Sequence, residues 1–244
     1  MKSFSQSDIT YLNDILNICS LVDIDALIIT EKAVRGVNMN KTSALLVNQK
    51  IPQLDGSFSL GLTKLKMLRQ RLNIFKQDAK FTIDAKPKSA TDNAISLLEI
   101  KGTSAKVQFR ATDASKIKAP VAVEDSYRKS IILTKEEANL MLNAEKAMGS
   151  KKVTIRIDKN NAVSVQYVDA GNDVFSLDLS NSATSAEGFE KSPFTAFYFT
   201  DVFSPLLKEA IANMDQVEIH IYEVSAKINV YGYDVLIFSP NDSD

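Results

Sequence analysis

The sequence predicts an α+β fold made of two similar domains. Three observations lead to this prediction: a length of 244 residues, the order of the predicted helices and strands, and a proline-containing segment near the middle. A chain of this length accommodates two domains of ordinary size. We therefore predict domains at 1–113 and 129–244, joined by a connector at 114–128, each with antiparallel strands and two helices.

The predicted connector has neither helical nor alternating periodicity. Pro120 fixes its own φ and favours an extended conformation at Ala119. The connector also carries the apolar residues Ile117, Val121 and Val123. We expect it to lie on a surface and to contribute to a groove, with an ordinary interdomain linker as the alternative.

The first predicted helix spans 7–20, with Ser7 as its N-cap. Its apolar face is predicted to consist of Ile9, Leu12, Leu16 and Cys19. The opposite face is small and polar and has no cation: Thr10, Asn13, Asn17 and Ser20. Strands are predicted at 26–30, 44–47 and 57–60, with a polar segment that contains Gly36 between the first two.

The second predicted helix, about 62–75, is the most basic stretch of the chain. Residues 62–76 contain five basic side chains and no acidic one. Its predicted buried side is leucine-rich: Leu62, Leu65, Leu68, Leu72 and Phe75. Strands at 80–86, 94–101 and 105–113 complete the first half.

The same order recurs after the connector. A strand at 131–133 precedes a helix that Thr134 caps and Gly149 ends, and Leu140 and Met141 are predicted on its apolar side. Alternating strands begin at Val153, Val163 and Val174. A strand at 194–199 leads to a helix at about 201–213. Its alternative start is Ser204-Pro205, because proline suits a first turn. Three closing strands begin at Val217, Ala226 and Asp234.

Few residues are suited to catalysis. His220 is the single histidine and lies in an alternating strand, and Cys19, the single cysteine, lies on the apolar side of a helix. The sequence contains no cluster with zinc-ligand spacing and no glycine-rich phosphate loop. We therefore expect no enzymatic activity, no cofactor and no metal.

Composition narrows the class of protein further. An apolar fraction of 45% and a charged fraction of 24% are typical of a globular protein. A net charge of −1 argues against a protein that binds nucleic acid by overall positive charge. Yet each of the four predicted helices pairs an apolar face with an exposed face that is neutral or basic. One such face is usually an ordinary solvated surface, but four at equivalent positions favour a shared role.

Three segments resemble the sliding-clamp family, the ring-shaped DNA polymerase processivity factors. FSLGLTKLKMLRQRL is similar to the strand and helix of the family's first domain, and KVTIRIDKNNAVSVQYVDAGNDVFSLDLS to the hairpins of its second domain. DVLIFSP resembles its C-terminal strand and proline. The resemblance covers the whole chain and is to the two-domain type of T4-like bacteriophages and of proliferating cell nuclear antigen.

The resemblance implies the DNA clamp fold. Three subunits would close a ring of six domains with helices lining the hole. It implies double-stranded DNA, bound without sequence preference, a DNA polymerase and a clamp loader as partners. The implied DNA-facing residues are Lys64, Lys66, Arg69, Gln70, Arg71, Asn13, Asn17, Lys135, Asn139, Lys146 and Lys208. The first helix departs from the family, because Thr10, Asn13 and Asn17 stand where lysines are frequent.

Two further surfaces follow from the resemblance. Strand 106–113 of one subunit would pair with strand 173–180 of the next, through Val107, Phe109, Ala111, Val174, Phe175 and Leu177. A groove for partner peptides would be formed by Val37, Ile117, Val121, Val123, Ile237, Phe238 and Pro240. For Ile237 and Phe238 the alternative is a place in the core of a strand.

The sequence supports one function above two others. We expect a clamp that tethers the replicative polymerase, in the cytoplasm or, for a viral protein, in the host cytoplasm, and without a membrane span. The alternatives are a monomeric polymerase accessory factor of the same fold, which needs a stronger basic bias, and an intracellular scaffold that does not bind DNA.

Overall fold

The α+β prediction is confirmed in a computed structural model of the chain. The structure describes residues 2–30, 32–38, 43–47, 58–75, 78, 81–89, 93–118, 127–185 and 193–239. The chain divides into two compact units, residues 1–39 with 44–121 and residues 40–43 with 122–244. The predicted limits of 1–113 and 129–244 stay a prediction.

The first unit contains two helices and eight strands in its described part. The elements are β1 (Lys2–Ser3), α1 (Gln6–Leu21), β2 (Ala26–Thr30), β3 (Val34–Val37), β4 (Ser43–Val47), β5 (Ser59–Thr63), α2 (Leu65–Ile74), β6 (Thr82–Pro87), β7 (Ile95–Lys101) and β8 (Lys106–Arg110). A 3₁₀ turn at Ala114–Lys116 follows β8.

The second unit repeats this order. Its elements are β9 (Lys129–Thr134), α3 (Lys135–Met148), β10 (Lys152–Ile157), β11 (Val163–Val168), β12 (Val174–Asp178), β13 (Ala183–Ser185), β14 (Phe194–Phe199), α4 (Thr200–Asn213), β15 (Gln216–Ile221), β16 (Ser225–Val230) and β17 (Tyr233–Phe238).

The strand order confirms the duplication. In the first unit, the strands hydrogen-bond in the orders β1-β6-β7-β8 and β5-β2-β3-β4. In the second unit, the corresponding orders are β9-β15-β16-β17 and β14-β10-β11-β12, with β13 added outside β9. Apart from β13, each strand of one unit therefore has a counterpart in the other, as expected of a doubled supersecondary unit.

Matching caps start the first helix of each unit. In α1, the Ser5 hydroxyl accepts from the Asp8 N–H at 3.2 Å, while Asp8 Oδ2 accepts from the Ser5 N–H at 2.8 Å. In α3, Thr134 and Glu137 exchange the same two bonds at 3.2 and 2.8 Å. Each capping box satisfies two helix N–H groups that lack a partner within the helix. Gly149 ends α3 at a φ of 60°, as predicted.

Several predicted boundaries in the first unit were wrong. The N-cap of α1 is Ser5 and not Ser7, because Asp8 completes the cap from the third helical position. The segment around Gly36, which was predicted as a polar segment between strands, itself forms strand β3. Leu62 belongs to β5, and Lys64, with a φ of 59°, separates that strand from α2. Leu62 therefore fits the helical spacing only because it is a buried residue of the strand that immediately precedes the helix.

Two predictions for the second unit were also wrong. Helix α4 begins at Thr200, so Pro205 lies inside it and not in its first turn. The N–H that Pro205 lacks would bond to the carbonyl of Asp201, an exposed residue at the start of the helix. Leu140 of α3 is 44% exposed, because Ala138, Met141 and Ala144 fill the buried face.

A glycine lets the segment after β8 approach β5. Thr112 N–H donates to the Gly61 carbonyl at 2.8 Å. A Cβ on Gly61 would lie 2.3 Å from the Thr112 carbonyl oxygen and 3.0 Å from Ile117 Cδ1. A side chain at position 61 would therefore separate two backbones that are hydrogen-bonded.

We predict that Gly61→Ala lowers the free energy of unfolding by about 1–3 kcal/mol, the usual cost of forcing atoms into a packed site. Urea denaturation monitored by circular dichroism measures the change. Gly171→Ala is the control, since its nearest contact is the Asp169 side chain at 3.3 Å in an exposed loop. Equal stability of the Gly61 variant and the wild type would contradict the close approach.

Candidate functional site

The outward face of the α1–α2 pair forms a cleft of about 410 Å³. Its lining combines amides, one hydroxyl, one guanidinium and three apolar side chains: Gln6, Ile9, Thr10, Asn13, Asn17, Arg69, Leu72, Asn73 and Phe81. The sequence indicated the polar face of α1. It gave no sign that α2 lies beside that face, because this packing depends on contacts between residues about 50 positions apart.

The two arginines of α2 contact different parts of the first unit. Arg69 borders the cleft, and its Nη1 donates to Ser20 Oγ at 3.0 Å. Arg71 Nη1 donates to the Gln108 carbonyl at 3.1 Å, and its guanidinium carbon lies 5.4 Å from the centre of the Phe109 ring. Arg71 is therefore held against β8. Lys64, Lys66 and Gln70 are exposed.

The second helix pair carries exposed cations. Lys135, Asn139 and Lys146 on α3 and Lys208 on α4 are exposed. Within the described residues, none of the cations Lys66, Lys135, Lys146 and Lys208 takes part in an ion pair. Exposed lysines without a protein carboxylate are suited to diffuse contact with phosphate groups.

Three carboxylates of α3 and α4 are engaged in hydrogen bonds within the chain. Glu137 completes the cap of α3 and also accepts from Ser182 Oγ at 2.8 Å. Glu145 accepts from the Ser204 hydroxyl, and Glu209 from the Tyr231 hydroxyl. Glu136 and Asp201 remain as exposed acids at the helix starts. Glu137, Glu145 and Glu209 thus accept hydrogen bonds from backbone or hydroxyl donors, and none of them forms an ion pair with a lysine among the described residues.

Strands β8 and β12 are each the last strand in a series of hydrogen-bonded strands. Among the described strands, β8 bonds only to β7 and β12 only to β11. Of the predicted interface residues on or just after β8, Val107 and Ala111 are half-buried and Phe109 is 4% exposed. On β12, Phe175 and Leu177 are half-buried, and Val174 is 57% exposed. Apolar side chains at an open strand edge are typical of a surface that pairs with another strand.

A charged network lies next to the β8 edge. Glu99, only 2% exposed, is contacted by Lys86 at 3.0 Å, Lys101 at 3.1 Å and Lys106. Asp84 accepts from Lys101 at 2.8 Å and from Ser3 Oγ at 2.6 Å. Hydrogen bonds from Lys106 and Lys86 hold the pKa of Glu99 far below its usual range, and those from Lys101 and Ser3 lower the pKa of Asp84.

We predict that Glu99→Gln destabilises the protein at neutral pH and that the difference from wild type narrows in acid. The folded state holds the Glu99 carboxylate ionised, so its stabilisation is complete above the ordinary pKa of 4.5. It is lost as pH falls through the lower folded-state pKa. Urea denaturation at pH 7, 5, 4 and 3 measures the difference.

Glu136→Gln is the control, because Glu136 is exposed on α3 and takes part in none of the ion pairs among described residues. It should leave the pH dependence nearly unchanged. A Glu99 variant whose stability parallels that of wild type from pH 7 to 3 would contradict the ionised network.

The predicted peptide-groove residues fall into three groups. In the first unit, Val37 and Ile117 are half-buried. In the second unit, Phe238 is half-buried, whereas Ile237 is 1% exposed and belongs to the core. Val121, Val123 and Pro240 lie outside the described residues.

The candidate reactive groups occupy structural positions. His220 stacks on Tyr127 with ring centres 4.4 Å apart, and its Nε2 lies 2.8 Å from Glu218 Oε1. Cys19 is 1% exposed, and burial raises the pKa of its thiol. Within the part of the chain that the structure describes, no three His, Cys, Asp or Glu side chains are grouped closely enough to hold a metal. None of the described helices has the length and hydropathy that a bilayer span requires.

The doubled strand order with two helices per unit defines the fold of the sliding clamps, and comparison with solved structures confirms it. PCNA of A. fulgidus, solved with the C-terminal region of FEN-1, matches with a TM-score of 0.67 at 14% identity, covering 100% of this chain and 99% of that one. Entamoeba histolytica PCNA matches at 0.65 and 15% identity, covering 98% of both chains.

A third match is the PCNA2–PCNA3 complex of Sulfolobus tokodaii, with a TM-score of 0.63, 12% identity and coverage of 100% of this chain and 99% of that one. No protein-family model matches the chain, and no curated protein matches it. The predicted clamp fold is therefore confirmed by structure, while the bacteriophage resemblance stays a prediction.

Proposed function

We propose that the protein is a DNA sliding clamp that encircles double-stranded DNA as a homotrimer and tethers a DNA polymerase. The observation that carries the proposal is a two-unit clamp fold over the whole chain, with exposed, unpaired lysines among the described residues of α2, α3 and α4. The clamp fold supports a ring-shaped assembly, and the exposed lysines support a nucleic acid as the molecule that the ring encircles.

A ring reconciles DNA binding with a net charge of −1. A protein that held DNA by charge alone would need many phosphate contacts, each of which steepens the log–log salt dependence by roughly 0.9. Such a protein would also move slowly along the duplex. A closed ring needs only weak, sequence-independent attraction, which Lys66, Lys135, Lys146 and Lys208 provide, because encirclement prevents dissociation.

We propose that the ring closes when β8 of one subunit pairs with β12 of the next. The contact is heterologous, so three copies close a ring if each turns by one third of a circle. The two edges carry opposite charge: exposed Lys106 and Arg110 on β8, and exposed Asp178, with Asp173 just before it, on or beside β12. Antiparallel pairing would place Lys106 near Asp178 and Arg110 near Asp173.

We predict that Leu177→Lys converts the trimer into a monomer of 26.9 kDa. The new ammonium group would replace a half-buried apolar side chain at the proposed junction, where it would lose water without gaining a partner. Size-exclusion chromatography with light scattering at micromolar concentration measures the mass.

Ile132→Lys is the control, since Ile132 is 43% exposed on β9, in the other sheet of the second unit. It should leave the trimer intact. A wild-type mass of one subunit would overturn the trimer and favour a monomeric accessory factor. A trimeric Leu177 variant would overturn the proposed junction.

We predict that the double variant Lys66→Glu, Lys146→Glu weakens the interaction with DNA without altering assembly. For each lysine–phosphate interaction that the substitutions remove, the log–log salt slope should fall by roughly 0.9. Fluorescence anisotropy of a short labelled duplex with free ends, titrated with the unloaded protein across a salt series, measures this slope, and light scattering measures the mass.

Lys159→Glu, at the exposed turn between β10 and β11, is the control with the same kind of charge change. An unchanged slope in the double variant would contradict the DNA-facing assignment. Absence of any gain in product length with the matching polymerase and loader would favour a scaffold that does not bind DNA.

We also propose that the clamp binds partner proteins through their tails. The A. fulgidus PCNA structure contains the C-terminal region of FEN-1, which supports such a mode. In this chain the proposed apolar anchors are Val37 and Ile117 in the first unit and Phe238 in the second, all half-buried. Half-buried apolar side chains bind extended or helical peptides by losing their remaining exposure to water.

A further inference from the structure

The α1–α2 cleft has features that a sliding contact with duplex DNA does not use. Diffuse attraction needs exposed cations on a smooth surface, as Lys66 provides. The cleft instead is a concave space of about 410 Å³, within the size range of small-molecule sites, and it carries a single cation, Arg69. Its shape and chemistry are therefore suited to a small ligand and not to diffuse attraction alone.

The apolar part of the lining identifies one half of that ligand. Phe81 supplies the accessible apolar surface, because it is half-buried, with its ring centre 6.2 Å from that of Phe75, whereas Ile9 and Leu72 are only 2% and 3% exposed and are already covered. A phosphate group would gain nothing from these side chains, because moving an ion to an apolar wall removes water without replacing it. A flat, weakly polar ring would gain from contact with the accessible part of the Phe81 ring.

The amides identify the polar edge of the ligand. Gln6, Asn13, Asn17 and Asn73 all line the cleft. Each amide presents a carbonyl acceptor and two N–H donors, the groups that pair with the mixed donor and acceptor edges of nucleobases. Four amides beside an apolar wall fit a base better than a uniformly charged or uniformly apolar molecule.

Arg69 supplies the place for a negative charge. One of its N–H groups donates to Ser20 Oγ at 3.0 Å, which fixes the guanidinium at the border of the cleft. In the described part of the chain, Arg69 forms no ion pair with a carboxylate. The remaining N–H groups have the planar, forked geometry that binds phosphate oxygens.

We propose that the α1–α2 cleft binds one unpaired nucleotide, with its base between the amides and the apolar wall and its 5′-phosphate on Arg69. A paired base cannot enter, because its polar edge is already occupied by the opposite strand. The site would therefore select single-stranded or frayed DNA from the duplex that the ring encircles. This inference rests on the proposed function for its choice of nucleic acid as the ligand.

The test uses thymidine 5′-monophosphate and the full-length protein in saturation-transfer NMR. We expect saturation to reach the base methyl and H6 protons more strongly than the sugar protons. Arg69→Gln should weaken binding by about tenfold, the usual effect of losing a hydrogen bond to a charged group. Asn13→Phe, which fills the cleft from the outward face of α1, should reduce the transfer by about fivefold or more, within the range of one base contact.

Arg156→Gln is the matched control, since Arg156 is an exposed arginine on β10 of the other unit. Thermal unfolding by circular dichroism verifies that each variant is folded. Absence of transfer in the wild type, or unchanged transfer in both cleft variants, would overturn the inference. Equal competition by 2-deoxyribose 5-phosphate would overturn it too, since only a phosphate site would remain.

The result separates this inference from the proposed function. Mononucleotide binding needs neither ring closure nor a loader. A chain that assembles and encircles DNA but does not bind the mononucleotide keeps the proposed function and loses the cleft assignment. A chain that binds the mononucleotide but neither assembles nor encircles DNA keeps the cleft assignment and loses the proposed function.

Discussion

Each unit of the molecule depends on burying one face of two amphipathic helices. Leu68 and Leu72 on α2 are at most 3% exposed, and Phe203 and Leu207 on α4 are fully buried. Burial of such side chains contributes about 1.5–3 kcal/mol each. Because this burial fixes how each helix is rotated, it also decides which side chains face water. The exposed lysines and the amide-lined cleft follow from the positions of these apolar residues.

A second constraint comes from the edge strands of the sheets, whose outer backbone groups need protection. A β-strand at an edge leaves N–H and C=O groups without a strand partner, and natural proteins protect such edges with charge or with pairing. Near β8 the protection is a set of lysines above the nearly buried Glu99 and Asp84. This arrangement gives the edge a positive surface while the compensating carboxylates stay beneath it, which favours a partner edge of opposite charge.

Local signals in the sequence were sufficient for some elements and not for others. Helix α3 was predicted well because Thr134 and Gly149 mark its two ends within a few residues. Strand β3, with the sequence VRGV, was missed because arginine and glycine carry no strand signal and its partners lie elsewhere in the chain. The outward faces of α1 and α2 were predictable from periodicity, whereas Leu140 of α3 was placed on the wrong side. The placement of Arg71 against β8 and the cleft beside α2 were not, because both depend on packing between distant segments.

The capping boxes of α1 and α3 have a consequence for how the protein is made. Ser5 with Asp8 and Thr134 with Glu137 use different residues for the same two bonds at the same place in each repeat. The two repeats thus share a hydrogen-bonding pattern, although the side chains that form it differ. Since each signal is complete within four residues, the amino-terminal repeat has its own starting point for folding while the ribosome is still translating the second.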